Sequence, residues 1–384
     1  MVSVPPEPTG KHPDLPSHEG HQHPLPMRII LPNPRGFCAG VRMAIDVVDR
    51  VVDLYPDKTI YVYHEIVHNR HVVGRFKDRG VAFVETLDDI PAGSVVVFSA
   101  HGIPPEIHQQ ADDLGLISID ATCPLVTKVH SEAVRYARKG YQILLIGHAD
   151  HQEVVGTFGE APESTLVVES PEHAETIEVA DNEKLVYLTQ TTLSTDDAGE
   201  IIRVLKRRFP HIHEPGEPDI CYATTNRQHA VRQIAPEVDV VLVVGSKNSS
   251  NSVRLTEIAR NVGTASYLLD DASELQDEWL PKKEESSVLI TAGASAPEDL
   301  VAAICRNLLE RFGGTIEQWD IVDESIEFAL PVALRRIMKA QGVEIGSGMV
   351  TVESGMSSGE LYGAVPLTVS ARSNPPTLTE KVGP

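Results

Sequence analysis

The sequence predicts an α/β protein made of three similar units, and three observations carry that expectation. From Met27 onward, short β-branched runs alternate with amphipathic helical stretches, the pattern of parallel sheets covered by helices. The runs fall into three sets of four that start near residues 28, 117 and 211, so the unit is close to 90 residues long. Each set opens on a strand that leads to a cysteine and closes on a strong strand ending in small polar residues. The closing segments are SAHG (99–102), TQTTLS (189–194) and TAGAS (291–295).

In chain order, strands are expected over 28–31, 59–64, 81–84 and 94–99, then over 117–119, 141–146, 165–168 and 184–189. The third set has 238–244, 265–269 and 287–291, with 211–213 as a weak twelfth strand. Helices fit over 41–54, 126–139, 195–208, 225–235, 252–262 and 297–312. Asn251 or Ser252 offers a cap for the fifth, and Pro297 a start for the last. The resulting division is a leader at 1–26, domains at 27–116, 117–210 and 211–312, and a C-terminal segment and tail at 313–384. The leader holds seven prolines and four histidines with little to bury, so it is expected to be disordered. From about 366 a loose tail is expected.

The 384 residues carry 55 Asp and Glu against 33 Lys and Arg, a formal charge of −22 that repels phosphate backbones and argues against general nucleic-acid binding. No apolar run approaches the ~18 residues of a membrane helix, and the N-terminus has no apolar segment of signal type. Membrane association is therefore not expected, and a cytoplasmic location is. Four cysteines are too few for a secreted disulfide scaffold, so they matter as thiols or as metal ligands.

Cys38, Cys123 and Cys221 each stand just ahead of a helix, separated by 85 and 98 residues, close to the repeat length. Free N–H groups and the helix dipole favour a thiolate there. If three units pack around a pseudo-threefold axis, one thiolate from each meets at the centre. Three cysteines can hold a tetrahedral zinc with a water, or an iron–sulfur cluster with one iron lacking a protein ligand. Three buried structural thiols are the plain alternative. Cys305 lies inside the amphipathic stretch LVAAICRNLLERF and reads as a buried, inert thiol.

Small polar loops at the carboxyl ends of parallel strands are the usual ligand sites of α/β proteins. Here they supply His68 and His101, then His151, Glu153, Thr191 and Thr192, then Ser295 and the loop GSKNSSNS at 245–252. Ser249, Ser250 and Asn251 offer short donors where a helix begins, an anion cradle. Three imidazoles with that loop suit a diphosphate, and Glu153 is the carboxylate placed to deliver protons.

His64-Glu65-Ile66-Val67-His68 matches the HExxH peptidase pattern, which requires a helix, yet it follows the strand-like TIYVY. His148 and His151, three apart, have the same weakness.

The segments RGFCAGVRMAI, HEIVHNRHVV, FSAHG, DATCPLVTKVH, IGHADHQEVVG, TQTTLS, DICYATTNRQ, GSKNSSNS and TAGASAP, spanning 35–297 in order, resemble the 4-hydroxy-3-methylbut-2-enyl diphosphate reductase family. Members catalyse the last step of the non-mevalonate isoprenoid route. The resemblance implies a trefoil of three pseudo-threefold-related α/β domains, each with a mostly parallel four-stranded sheet, around a central iron–sulfur cluster. It implies one 4Fe-4S cluster with an open apical iron, which oxidative loss converts to 3Fe-4S, bound by Cys38, Cys123 and Cys221. His68, His101, His151, Ser249, Ser250, Asn251 and Ser295 would hold the diphosphate, with Thr192 nearby. Glu153 would relay protons and Thr191 would orient it. The implied reaction is reductive dehydroxylation of the allylic alcohol diphosphate to isopentenyl and dimethylallyl diphosphates. Electrons would come from a ferredoxin or flavodoxin-type donor. Docking an acidic donor needs a local basic patch, for which Lys128, Arg135, Arg138 and Lys139 are the dispersed candidates.

Overall fold

The computed structural model describes residues 26–283, 285–343, 349–351 and 367–370. Residues 1–25 of the expected leader at 1–26, and 344–348, 352–366 and 371–384 of the expected C-terminal segment, lie outside the described residues.

The chain enters through β1 (Met27–Asn33) and α1 (Ala39–Leu54). β2 (Ile60–Tyr63), α2 (Arg70–Asp78), β3 (Ala82–Val84), β4 (Val95–Phe98), α3 (Pro105–Asp113) and β5 (Ile117–Asp120) follow. β2 to β5 form a parallel sheet in the order β3-β2-β4-β5. Its central β4, VVVF, is buried along its whole length, as a strand covered on both faces must be. α1 supplies one cover: Ala44, Val47, Val48 and Val51 lie on one face and join the core beneath the sheet.

The second unit runs α4 (Pro124–Arg138), β6 (Gln142–Ile146), α5 (Gln152–Gly159), β7 (Thr165–Val168), α6 (Pro171–Thr176), β8 (Leu185–Thr189) and α7 (Thr195–Arg208). Its parallel sheet is β7-β6-β8. α7 shows why such segments become helices. Ser194 caps it by accepting from the Asp197 amide, acidic Asp196 and Asp197 fill the first turn, and Lys206, Arg207 and Arg208 the last.

The third unit contains α8 (Tyr222–Ile234), β9 (Val240–Val244), α9 (Ser250–Asn261), β10 (Ala265–Leu269), β11 (Ser286–Ala292), α10 (Glu298–Phe312) and β12 (Gly314–Asp320). β13 (Glu327–Ala329), α11 (Val332–Ala340), β14 (Met349–Thr351) and β15 (Leu367–Ser370) complete the described chain. The sheet order is β10-β9-β11-β1-β12-β15, parallel throughout, and β13 pairs with β14 in an antiparallel ribbon. α11 buries Leu334 and Met338 in the core of the first unit.

Among the described residues, the three parallel sheets thus have six, four and three strands rather than four each. Each opening strand joins the sheet of the preceding set: β5 edges the first sheet, the His213 backbone bridges to Val186 beside the second, and β1 lies between β11 and β12 of the third. Apolar runs announce strands, but the crossovers decide which strands pair. β12, unforeseen, pairs with β1 from Met27↔Gly314 to Asn33↔Asp320. At Gly314, with φ at +120°, a Cβ would stand 1.9 Å from the Met27 carbonyl oxygen, so glycine is required for this approach. β15 occupies part of the expected loose tail. The cap of α9 is Ser249, ahead of both candidates, because its hydroxyl accepts from the Ser252 amide.

Among the described residues, no helix is long and apolar enough to cross a membrane.

Candidate active site

Cys38, Cys123 and Cys221 are the N-cap residues of α1, α4 and α8. Each cysteine amide donates to the carbonyl of a closing segment: Cys38 to Ala294 at 3.1 Å, Cys123 to Ala100 at 3.0 Å and Cys221 to Thr191 at 3.0 Å. Those carbonyls belong to TAGAS, SAHG and TQTTLS. The same contact, made three times, ties every helix start to a strand end and turns the three thiols into one chamber of about 90 Å³. Gly40 leaves space beside the sulfurs, since a Cβ there would lie 2.4 Å from Cys123 Sγ and 4.0 Å from Cys38 Sγ.

The thiols are not thiolates by themselves. Burial pushes all three above the ordinary range, Cys221 to about 11, and negative charge on Cys38 further raises Cys123 and Cys221. The backbone N–H groups at the helix starts favour the anion but are outweighed by desolvation.

A ring of donors lies beside the sulfurs. His68 and His101 stack with centroids 4.0 Å apart, and His151 meets them edge-on at 5.4 and 6.0 Å. Burial holds His101 well below the usual imidazole range and His151 at about 4, and positive charge on His68 depresses both further. Without an anion, these two rings are neutral near pH 7. Ser295 Oγ donates to the His68 carbonyl at 3.0 Å and lies 3.2 Å from Ser249 Oγ. Ser250 Oγ donates to the Thr192 carbonyl at 3.1 Å, and Asn251 Oδ1 accepts from the Ala294 amide at 3.0 Å. The third-unit loop is thereby locked to the strand ends of the other units.

Glu153, in the first turn of α5, is 3% exposed, and its Oε1 accepts from the Thr191 amide at 2.5 Å. Burial raises its carboxyl to about 7 against those hydrogen bonds. Such a carboxylic acid can carry a proton near neutrality. All thirteen residues singled out from the sequence line the one chamber.

A model of the LytB protein family matches residues 29–309. The chain belongs to the LytB family. It is 52% identical over 321 residues to the 4-hydroxy-3-methylbut-2-enyl diphosphate reductase of Acidothermus cellulolyticus, covering 83% of this chain and 94% of that one. With the enzyme of the same name from Rhodopirellula baltica, it shares 49% over 316 residues, covering 82% and 98%. Among solved structures, it resembles the E-1-hydroxy-2-methyl-but-2-enyl-4-diphosphate reductase of Plasmodium falciparum. The TM-score is 0.79 at 38% identity, covering 83% of this chain and 99% of that one. The three-sheet α/β architecture is shared with that structure.

Membership of the LytB family implies an iron–sulfur group, and the chamber has the chemistry to take one. Three thiols that burial keeps protonated become thiolates when a cationic group supplies the missing countercharge, and Gly40 keeps the space clear. Among the described residues, no three His, Cys, Asp or Glu side chains converge closely enough to chelate one metal ion. A cluster takes one thiolate per iron and asks less convergence than a zinc, whose thiolates lie about 2.3 Å from a single ion.

Other side chains of this LytB-family chain escaped the sequence reading. Thr224 Oγ1 lies 3.3 Å from Cys221 Sγ and accepts from Asn251 Nδ2 at 3.3 Å, bridging thiol and anion loop. The Tyr222 hydroxyl accepts from the Ala39 amide at 3.1 Å. Arg227, 1% exposed, donates to the Gly36 carbonyl at 2.7 Å and pairs with buried Glu324 at 3.1 Å, holding the turn before Cys38. The DICYATTNRQ segment contains all three, but polar residues on a helix resemble a solvated face.

The decoys resolve by geometry. His64 stands after β2 with φ at +59°, off any helix, and its Nδ1 meets Glu85 at 2.6 Å. Glu65 instead approaches His68 Nδ1 at 3.4 Å and accepts from Asn248 at 2.8 Å. His148 is held by Arg254 at 2.7 Å. Cys305 is fully buried in the core of α10, its thiol pushed up to about 12 by burial. Lys128 is taken up by Asp219 at 2.7 Å, whereas Arg135, Arg138 and Lys139 line an open groove elsewhere.

Proposed function

We propose that the chain reductively dehydroxylates (E)-4-hydroxy-3-methylbut-2-enyl diphosphate to isopentenyl and dimethylallyl diphosphates and water, consuming two electrons and two protons. Its relatives carry the name of that reductase. The observation behind the residue assignments is the threefold cysteine-to-strand-end contact, which gathers thiols, imidazoles and one buried carboxyl into a single chamber.

In this reading, Cys38, Cys123 and Cys221 would hold one 4Fe-4S cluster with one iron left without a protein ligand, and it would supply single electrons and Lewis acidity to a reaction whose leaving group is otherwise poor. The remaining work falls to the chain. His68, His101 and His151, with Ser249, Ser250, Asn251 and Ser295, bind the diphosphate. The His101 and His151 rings, held neutral by burial, can take up protons as the anion arrives, offsetting the cost of burying its charge. That binding energy orients the allylic chain and excludes water. Glu153 holds a proton at its carboxyl for the departing hydroxyl, and the Thr191 amide fixes the carboxyl's direction. Thr192, hydrogen-bonded to Gln190 at 2.8 Å, shapes the wall beside Ser250. A one-electron protein donor of ferredoxin or flavodoxin type is the proposed partner.

Anaerobic incubation of purified protein with the allylic alcohol diphosphate and a reduced viologen tests the proposal. Formation of both C5 diphosphates with water loss is expected. Substrate that persists, or is hydrolysed at phosphate, overturns it.

A further inference from the structure

Glu153 must regain a proton in each cycle, yet its carboxyl is 3% exposed. α5 places Glu153, Gly156 and Glu160, its C-cap, at i, i+3 and i+7, along one face about 10 Å long. The His130 imidazole, from α4, lies against that face and is 8% exposed. Its Nδ1 is 2.9 Å from Glu160 Oε1, while Nε2 is buried without a partner. The ring fits because two glycines make room. A Cβ at Gly102 would come within 2.8 Å of Cε1 and 3.0 Å of Nε2, and one at Gly156 within 3.3 Å of Cε1. On the far side, His130 and Glu160 line an open groove of about 620 Å³ that none of the three thiols lines.

We propose that Glu160 and His130 form the route by which solvent protons reload Glu153, which rests on the reading of Glu153 as proton donor. A protonated Glu160 gives its proton to Nδ1. The imidazolium then releases the Nε2 proton towards the Glu153 carboxylate, so that one proton crosses and the ring ends neutral. His130 touches no substrate and acts through Glu153, as a positioning residue for the proton. Positive charge on His130 also lowers the Glu153 carboxyl, which places the two groups in electrostatic reach. On α5, Glu160 bonds the ring and Glu153 feels its charge. The groove adds His108 and Asp120, 3.6 Å apart, with Arg135, Arg138 and Lys139.

The test uses anaerobically prepared holoenzyme with His130→Ala, Glu160→Gln and Glu153→Gln. His130→Ala is expected to keep wild-type cluster absorbance and KM while kcat falls about 10- to 100-fold, less than the loss of a direct proton donor. Added imidazole, entering through the groove, should restore part of kcat. Glu160→Gln, at the groove end of the route, should show a smaller loss and a shifted pH profile of kcat even if His130→Ala folds poorly. Wild-type kcat in His130→Ala, or a loss that imidazole does not rescue with the Glu160→Gln pH profile unchanged, overturns the route. An inactive Glu153→Gln beside a normal His130→Ala refutes the route alone. Wild-type turnover in Glu153→Gln refutes the donor reading itself.

Discussion

The Thr191 amide donates to Glu153 Oε1 at 2.5 Å, and the Thr191 carbonyl accepts from the Cys221 amide at 3.0 Å. One peptide segment therefore sets both the direction of the only deeply buried carboxyl of α5 and the start of the helix that carries the third thiol. Proton source and thiol are positioned by the same strand end.

Glu153 gives the first prediction. Its carboxyl is raised to about 7, so the protonated form is present below that pH and is lost above it. The kcat/KM should fall as pH rises through about 7. Glu153→Gln should remove this limb and lower kcat by ~10²–10⁴, with cluster absorbance and inorganic pyrophosphate binding retained. Measured pH–rate profiles with wild-type turnover in the variant would take Glu153 out of the proton path.

The thiols give the second. Replacing Cys38, Cys123 or Cys221 by Ser should abolish the brown colour and acid-labile sulfide of anaerobically purified protein, whereas Cys305→Ser keeps both. Cys305 lies in the apolar core with α10, not in the chamber. Iron and sulfide analysis decides it, and equal loss in all four variants would mean the ligands are miscounted.

Acid stability is the third. His101 and His151 have folded pKa values below the ordinary 6.5, so the unfolded chain binds protons first as pH falls. The ligand-free protein should lose stability from about pH 6.5 towards 4. Glu153 has the opposite sign, because its raised carboxyl is protonated in the folded state before the unfolded one between about 7 and 4.5. Glu153→Gln should therefore make the acid loss steeper. Inorganic pyrophosphate, bound by the charged rings, should reduce it. Melting temperatures between pH 7.5 and 5 that do not change would show that the rings are not held neutral.

Arg227 supplies the fourth. Arg227→Met leaves Glu324 buried beside Asn226 without its cation and should cost about 3–5 kcal/mol in denaturant unfolding. Adding Glu324→Gln should recover part of that loss. A change under 1 kcal/mol would mean the pair does not hold the turn before Cys38.

Much of this was legible in the chain itself. The strand at 165–168 and the helix at 195–208 coincide with β7 and α7, since apolar patterning and end charges agree there. The three thiols and the histidines stood out by place, ahead of helices and after strands. β12 was not legible: in GTIEQWD only Ile316 and Trp319 are apolar and buried, three apart, so no two-residue alternation marks the strand, and Glu317 is committed to Arg28 at 2.6 Å. Sheet membership was also hidden, because β1 is chosen as a neighbour by strands more than 250 residues away. Arg227 and His130 escaped for a related reason: a helical Arg or His looks solvated until the tertiary fold buries it.

The most direct measurement is Mössbauer spectroscopy of anaerobically prepared, iron-57-enriched protein before and after adding the allylic alcohol diphosphate. Four irons, with one distinct site whose spectrum alone shifts on addition, are expected if the three thiols that line one chamber hold a cluster and leave one iron free for substrate. Protein without iron, or with a spectrum that the substrate leaves unaltered, would contradict it.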